Sequence, residues 1–189
     1  MGTTMETWPR RHRITVDDYH RMAEVGLLAP DARVELIDGE IFEMAPIGKE
    51  HNSVVDQLTR LFVRAVGDAI VRVQGSIRLG TTSEPQPDLV LLRPSADFYR
   101  SRFATAADAL LVVEVSDTTL RYDRDVKVPL YARHGVLEVW IVDLSNERLL
   151  VFEEPEGGDY RRRDVVERPS RMSIAALPRV DVDLSALFD

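Results

Sequence analysis

The sequence predicts an α/β fold with a central mixed β-sheet flanked by helices. Three observations carry this. PDLVLL (87–92), ALLVVEVS (109–116) and LEVWIVDL (137–144) are nearly continuous apolar runs of strand length, the pattern of strands covered on both faces. Other segments repeat apolar residues at three- and four-residue spacing, which is helical periodicity. Asp38-Gly39 sits between two short apolar stretches, the strongest local signal for a hairpin.

Residues 1–13 read as a flexible N-terminal arm, and 14–189 as a single domain, in keeping with a chain of 189 residues. Either Thr15 or Asp17 is the N-cap of a short helix with acids in its first turn. Met22, Val25 and Leu28 form its apolar face, and Gly26 and Pro30 end it. Val34 and Leu36, then Ile41, form the two hairpin strands around Asp38-Gly39. From Glu50 to Val66 the pattern is helical, with Val54, Leu58, Leu61, Phe62 and Ala65 on one face. Val71, Val73 and Ile77 alternate with polar residues, as in a strand.

The first long apolar run (87–92) is followed by a polar surface excursion over 93–108 and then by the second run. DRDVKVPLYARHG is a helix stopped at Gly135, in which Pro129 must lie in the first turn or bend the chain. RLLVFEE pairs with the third run across Ser145-Asn146-Glu147, and YRRRDVVE adds a further strand. The tail carries only short apolar pieces.

Composition excludes several function classes. There are no cysteines, so disulfides, zinc–thiolate sites, iron–sulfur clusters and cysteine nucleophiles are absent. No apolar run approaches the length of a membrane span, and no signal segment opens the chain, so the expected location is cytoplasmic, away from any membrane. The net charge of −8 argues against a general nucleic-acid coat protein. It leaves room for an enzyme with one local DNA-binding patch. Of the 24 basic residues only Lys49 and Lys127 are lysines, which marks them as places where a compact ammonium is wanted. No G-x-S-x-G elbow, Walker loop or H-E-x-x-H motif is present.

Two acids stand where an apolar residue would be cheaper. Asp88 opens one buried strand, and Glu114 lies near the end of the next. A carboxylate in such surroundings must be paired, protonated or bound to a cation. Two of them from adjacent strands suit a hard divalent ion. Lys127, early in the following helix, can bring its ammonium over the same point. Carboxylates, a metal and a lysine together suit hydrolytic phosphoryl transfer.

Each residue also has a plainer reading. Asp88 follows Pro87 and suits a turn, Glu114 suits a structural ion pair, and Lys127 suits a solvated pair with Asp123. Glu35 suits an exposed strand position and His51 an ordinary first turn. Tyr131 and Trp140 suit core packing.

QPDLVLL, LLVVEVS and DRDVKVPLYARHGVLEVWIVD resemble the nuclease core of the PD-(D/E)XK superfamily. More narrowly, they resemble the Uma-type (Uma-two) restriction endonuclease family. VELIDGEIFEMAPIGKEHNSVVDQL is similar to that family's N-terminal half. The resemblance implies a restriction-endonuclease-like core, a divalent metal (Mg²⁺ or Mn²⁺) and hydrolysis of DNA. It implies Asp88 and Glu114 as metal ligands, the carbonyl of Val115 as a third, and Lys127 as the catalytic lysine.

Ser116 stands where the superfamily's E-x-K places its lysine, so the resemblance implies a lysine displaced onto the helix. Glu35 and His51 also match family positions. Glu35 would bind metal through water. His51 would contact phosphate or position water, in a first turn whose free amides favour an anion.

Two further readings stand beside the endonuclease. One is a catalytically silent nucleic-acid-binding or interaction module on the same fold. The other is a phosphodiesterase acting on RNA or nucleotides. A homodimer is expected, docked through a hairpin edge such as RLLVFEE.

Overall fold

The structure, a computed structural model, describes residues 11–188. Most of the proposed N-terminal arm lies outside the described residues. Its last part is held: Arg13 donates to the Asp38 carbonyl at 2.6 Å, and the Ile14 amide to the Gly39 carbonyl at 3.0 Å. Gly39 is required there. Its φ is +78°, and a Cβ would meet that of Arg13 at 2.5 Å.

Helix α1 (Val16–Glu24) starts at Thr15, not Asp17, in a capping box with Asp18. Its packed residues are Val16 and, in part, Tyr19, His20 and Met22. Of the sequence-predicted face of Met22, Val25 and Leu28, the first and last are partly buried, whereas Val25 is 53% exposed. Polar contacts also fix the helix, with His20 Nε2 2.9 Å from the buried Glu84 carboxylate.

Strands β1 (Val34–Ile37) and β2 (Glu40–Glu43) form a separate hairpin across Asp38-Gly39. Helix α2 (Lys49–Ala65) buries Val54, Val55, Leu58 and Phe62. Strand β3 is short (Ile70–Val73), and the alternation predicted to continue to Ile77 breaks at Gln74, whose φ is +47°.

Six strands make the central sheet in the order β3-β4-β5-β6-β7-β8, with β4 (Leu89–Leu92), β5 (Ala109–Ser116), β6 (Glu138–Asp143), β7 (Arg148–Glu156) and β8 (Asp159–Glu167). All neighbours run antiparallel except β5 and β6. A parallel pair needs a crossover. Here it is helix α3 (Leu120–Tyr122), a π-helical turn (Asp123–Lys127) and helix α4 (Val128–Arg133).

The π turn accommodates Pro129. The Val128 amide reaches back five residues to the Asp123 carbonyl, and Pro129 falls in the first turn of α4, where its missing N–H costs nothing. Gly135, at φ +77°, closes α4, with the Val136 amide bonding the Tyr131 carbonyl at 3.0 Å.

One face of the sheet packs Val113 and Val115 against α2 and the C-terminal segment, including Ile174, Val182 and Leu187. The other packs Val112, Val139 and Ile141 against Leu130 and Tyr131 of α4. The tail forms a hairpin not foreseen from the sequence, β9 (Arg171–Ile174) with β10 (Leu177–Asp183). RLLVFEE is not an edge either. β7 is paired on both sides, and the sheet ends at β8, whose arginines pair with Glu153, Glu156, Asp159 and Asp164.

Candidate active site

The antiparallel register of β4 and β5 pairs Leu89 with Val113. Continued by one residue, it places Asp88 opposite Glu114, on the sheet face that carries Val112 and α4. Asp88 is anchored there, its Oδ2 accepting from the Val115 amide at 2.8 Å. Both acids thus stand at one end of neighbouring strands and line a cavity of about 240 Å³.

The crossover brings Lys127 to the same point. Its Nζ lies 2.8 Å from Glu114 Oε1 and 3.4 Å from Glu35 Oε2. The ammonium is 3% exposed, so the solvated pair with Asp123 is not formed. Asp123 instead accepts from the hydroxyls of Ser116 and Thr119, each at 2.7 Å.

Two tyrosines brace the acids. Tyr131 donates to Glu114 Oε1 at 2.6 Å, and Tyr122 to Glu35 Oε1 at 3.1 Å. The Gln86 amide gives Glu35 a further bond at 3.0 Å. Glu35 is 3% exposed, which removes its reading as an exposed strand residue.

His51 enters from the other face of the sheet, on the first turn of α2. Its Nε2 is 3.1 Å from Asp88 Oδ1. Its Nδ1 is the one buried side-chain nitrogen or oxygen among the described residues that has no hydrogen-bond partner.

Charge is unbalanced in this cavity. Six carboxylates, Glu35, Glu43, Asp88, Glu114, Asp117 and Asp123, line it with two cations, Lys127 and Arg33. Burial pushes the Glu114 carboxyl up. The charges of Asp123, Asp88 and Glu35 add to that rise and Lys127 opposes it. Burial works against the Lys127 charge too, but the carboxylates of Glu114, Glu35 and Asp123 together outweigh it and hold the lysine protonated. Burial likewise raises both tyrosines, which stay neutral donors. The excess negative charge favours uptake of a proton or a cation.

The donor chemistry fits a hard divalent ion. Such an ion takes carboxylate and carbonyl oxygens and keeps several waters, so one or two carboxylates suffice. Among the described residues no three His, Asp or Glu side chains form a ready cluster. Glu114 Oε2 receives no side-chain or amide hydrogen bond among them, whereas Oε1 receives two donors. Asp88, Glu114 and the Val115 backbone all border the cavity. That set matches Mg²⁺ or Mn²⁺ better than a soft metal.

All five side chains singled out from the sequence, Glu35, His51, Asp88, Glu114 and Lys127, therefore border one cavity. Sequence reasoning missed the part played by Tyr122 and assigned Tyr131 to packing. The signal for Tyr131 was its place four residues after Lys127, one helical turn along the same face. Trp140 is indeed core, but its Nε1 donates to the buried Glu138 at 2.6 Å.

The site thus sits on a mixed sheet flanked by helices, with two strand-end acids beside a lysine from the crossover. The profile of the Uma2 family, described as "Putative restriction endonuclease", matches residues 16–185, and the chain belongs to that family. Among solved structures it is similar to a protein titled a putative nuclease belonging to DUF820, from Anabaena variabilis. The match has a TM-score of 0.71 at 14% identity and covers 93% of this chain and 97% of that one. No curated protein matches. Among the described residues no helix is long and apolar enough to cross a membrane.

Proposed function

We propose that this chain is a metal-dependent endonuclease that hydrolyses DNA phosphodiester bonds. The observation that carries the reading is the convergence of Asp88 and Glu114 from adjacent strands with the buried ammonium of Lys127, in a cavity rich in uncompensated negative charge. Asp88, Glu114 and the Val115 carbonyl would hold Mg²⁺ or Mn²⁺. When bound, the ion supplies positive charge at the phosphate and makes nearby water more acidic.

The chain's own residues do the rest. Lys127, kept charged by Glu114 and Glu35, faces the negative charge that grows on the phosphate oxygens. His51, with Nε2 3.1 Å from Asp88 Oδ1 at the cavity wall, would position that acid or meet the substrate phosphate. The water oxygen bonds to phosphorus as its proton passes to solvent, the P–O ester bond breaks, and the departing oxygen takes a proton from solvent to become a hydroxyl. Tyr131 holds Glu114 in place without touching substrate, and Tyr122 holds Glu35.

Plasmid incubated with purified protein and Mg²⁺ or Mn²⁺ tests the reading. Nicking or linearisation that disappears in Asp88→Ala and Lys127→Ala supports it. DNA binding without cleavage of any DNA form would replace it with the silent module. Cutting both strands would be served by a homodimer, for which the outer edge of β8 has no strand partner among the described residues. Sedimentation as a monomer at working concentration removes that part.

A further inference from the structure

The cavity has an apolar side that phosphate chemistry does not use. In the β1–β2 hairpin, Phe42 is the direct partner of Glu35. Directly opposed residues in an antiparallel pair project to the same face. Glu35 points at Lys127, so Phe42 is turned to the site as well. Its ring lies against that of Tyr122, centroids 5.6 Å apart and tilted by 44°. Met44 and Ile47 continue this wall, and Arg33 joins it at the rim, where its guanidinium donates to the Ala45 carbonyl at 2.9 Å. Phe42, Met44, Ile47 and Tyr122 are each only partly buried.

Partly exposed rings and aliphatic side chains beside acids and an ammonium offer an apolar surface that a covering group can bury. The covering group must also belong to a molecule whose phosphate reaches the acids.

Depth narrows the choice. Glu35, Glu114 and Lys127 are each 2–3% exposed, at the floor of a cavity of about 240 Å³. A phosphate flanked by stacked base pairs cannot reach the floor without its nucleotide leaving the stack, which costs a few kcal/mol in a duplex and little in a single strand. A base drawn in beside its phosphate meets an aromatic wall, the usual platform for sequence-tolerant stacking.

We infer that the wall of Phe42, Met44, Ile47 and Tyr122 receives the nucleobase next to the scissile phosphate, so that the preferred substrate is single-stranded DNA rather than intact duplex. This rests on the endonuclease reading and specifies its substrate. Arg33 at the rim is placed to stack on the base's outer face or to meet the next phosphate.

Two readouts test it separately from the chemistry. Fluorescence anisotropy in Ca²⁺ measures binding of a mixed-sequence 20-nucleotide single strand and of the blunt duplex of the same sequence. Cleavage of both is measured in Mn²⁺. The single strand is expected to bind at least tenfold more tightly and to be cut faster. Phe42→Leu should weaken single-strand binding about tenfold and Phe42→Trp should restore it, in line with base–aromatic stacking energies. Thermal melts by circular dichroism confirm that both variants fold.

Equal binding of strand and duplex, or no effect of Phe42→Leu in a folded protein, overturns the inference and leaves the endonuclease reading standing. Ring-dependent single-strand binding with no cleavage in Mn²⁺ upholds the base subsite and overturns the endonuclease reading. If Phe42→Leu does not fold, the ratio of strand to duplex binding in the wild type decides.

Discussion

The Lys127 ammonium stands 2.8 Å from the Glu114 carboxylate, a buried pair formed between a strand and the helical crossover that leaves it. Ser116, two residues beyond Glu114, has its side chain on the same face of β5 and donates to Asp123 at 2.7 Å. The strand position next to the acid is thus used to hold the crossover, and the crossover supplies the amine.

Replacing the amine should cost more than a surface charge would. Lys127→Met keeps much of the volume but leaves Glu114 and Glu35 buried without a counter-ion. A loss of about 3 kcal/mol is expected at pH 8, near the lower bound for breaking a buried pair. Urea unfolding measures the loss.

Because Ser116 shares a face with Glu114, a lysine there points toward the same cavity. In the Lys127→Met background, Ser116→Lys should recover part of the lost nuclease activity, while Ser116→Met should not. Plasmid nicking rates in Mn²⁺ compare the two. Equal rates would mean that the amine cannot act from the strand.

Tyr131→Phe removes one hydroxyl, the donor to Glu114 at 2.6 Å. The ring still fills its place, so the expected cost is that of one buried charged hydrogen bond, about 2 kcal/mol. The chemical step should slow more than DNA binding weakens, because the bond positions an acid rather than contacting substrate. Single-turnover cleavage and anisotropy separate the two effects.

Glu138 offers a pH test away from the site. Burial pushes its carboxyl up to about 7, against the opposing bonds from the Ala175 amide and Trp140. A carboxyl raised in the folded state keeps its proton where the unfolded chain has lost it. Stability therefore falls as pH rises from the ordinary value near 4.5 toward 7, and stays lower above that. Between pH 5 and pH 8 the fall is about 2.5 kcal/mol. Glu138→Gln, which cannot ionise, should gain on the wild type by that amount between pH 5 and pH 8 in denaturant titrations.

The frame was legible where local chemistry and burial agree. Strand β5 has the bounds its apolar run suggested, and Asp38-Gly39 makes the turn that its residues demand. The acids stood out because each interrupts an apolar strand. The β9–β10 hairpin stayed hidden because its residues are mostly exposed and Pro178 obscures the alternation. Tyr122 and Asp123 were illegible for another reason. They lie where α3 passes into the π turn, and regular 3.6-residue counting does not give the facing of residues across that junction.

The wide turn at Asp123–Lys127 shifts the phase of the crossover helix. To anneal into a regular α-helix, the chain would need an amide proton at residue 129 to offer the Asp125 carbonyl, and proline has none. The bearing of the Lys127 amine is therefore locked partly by a covalent ring two positions downstream. A one-residue deletion within the turn would swing the following segment by roughly 100°. Point changes to the surrounding packing would leave the ring in place and the lysine still aimed at its acids.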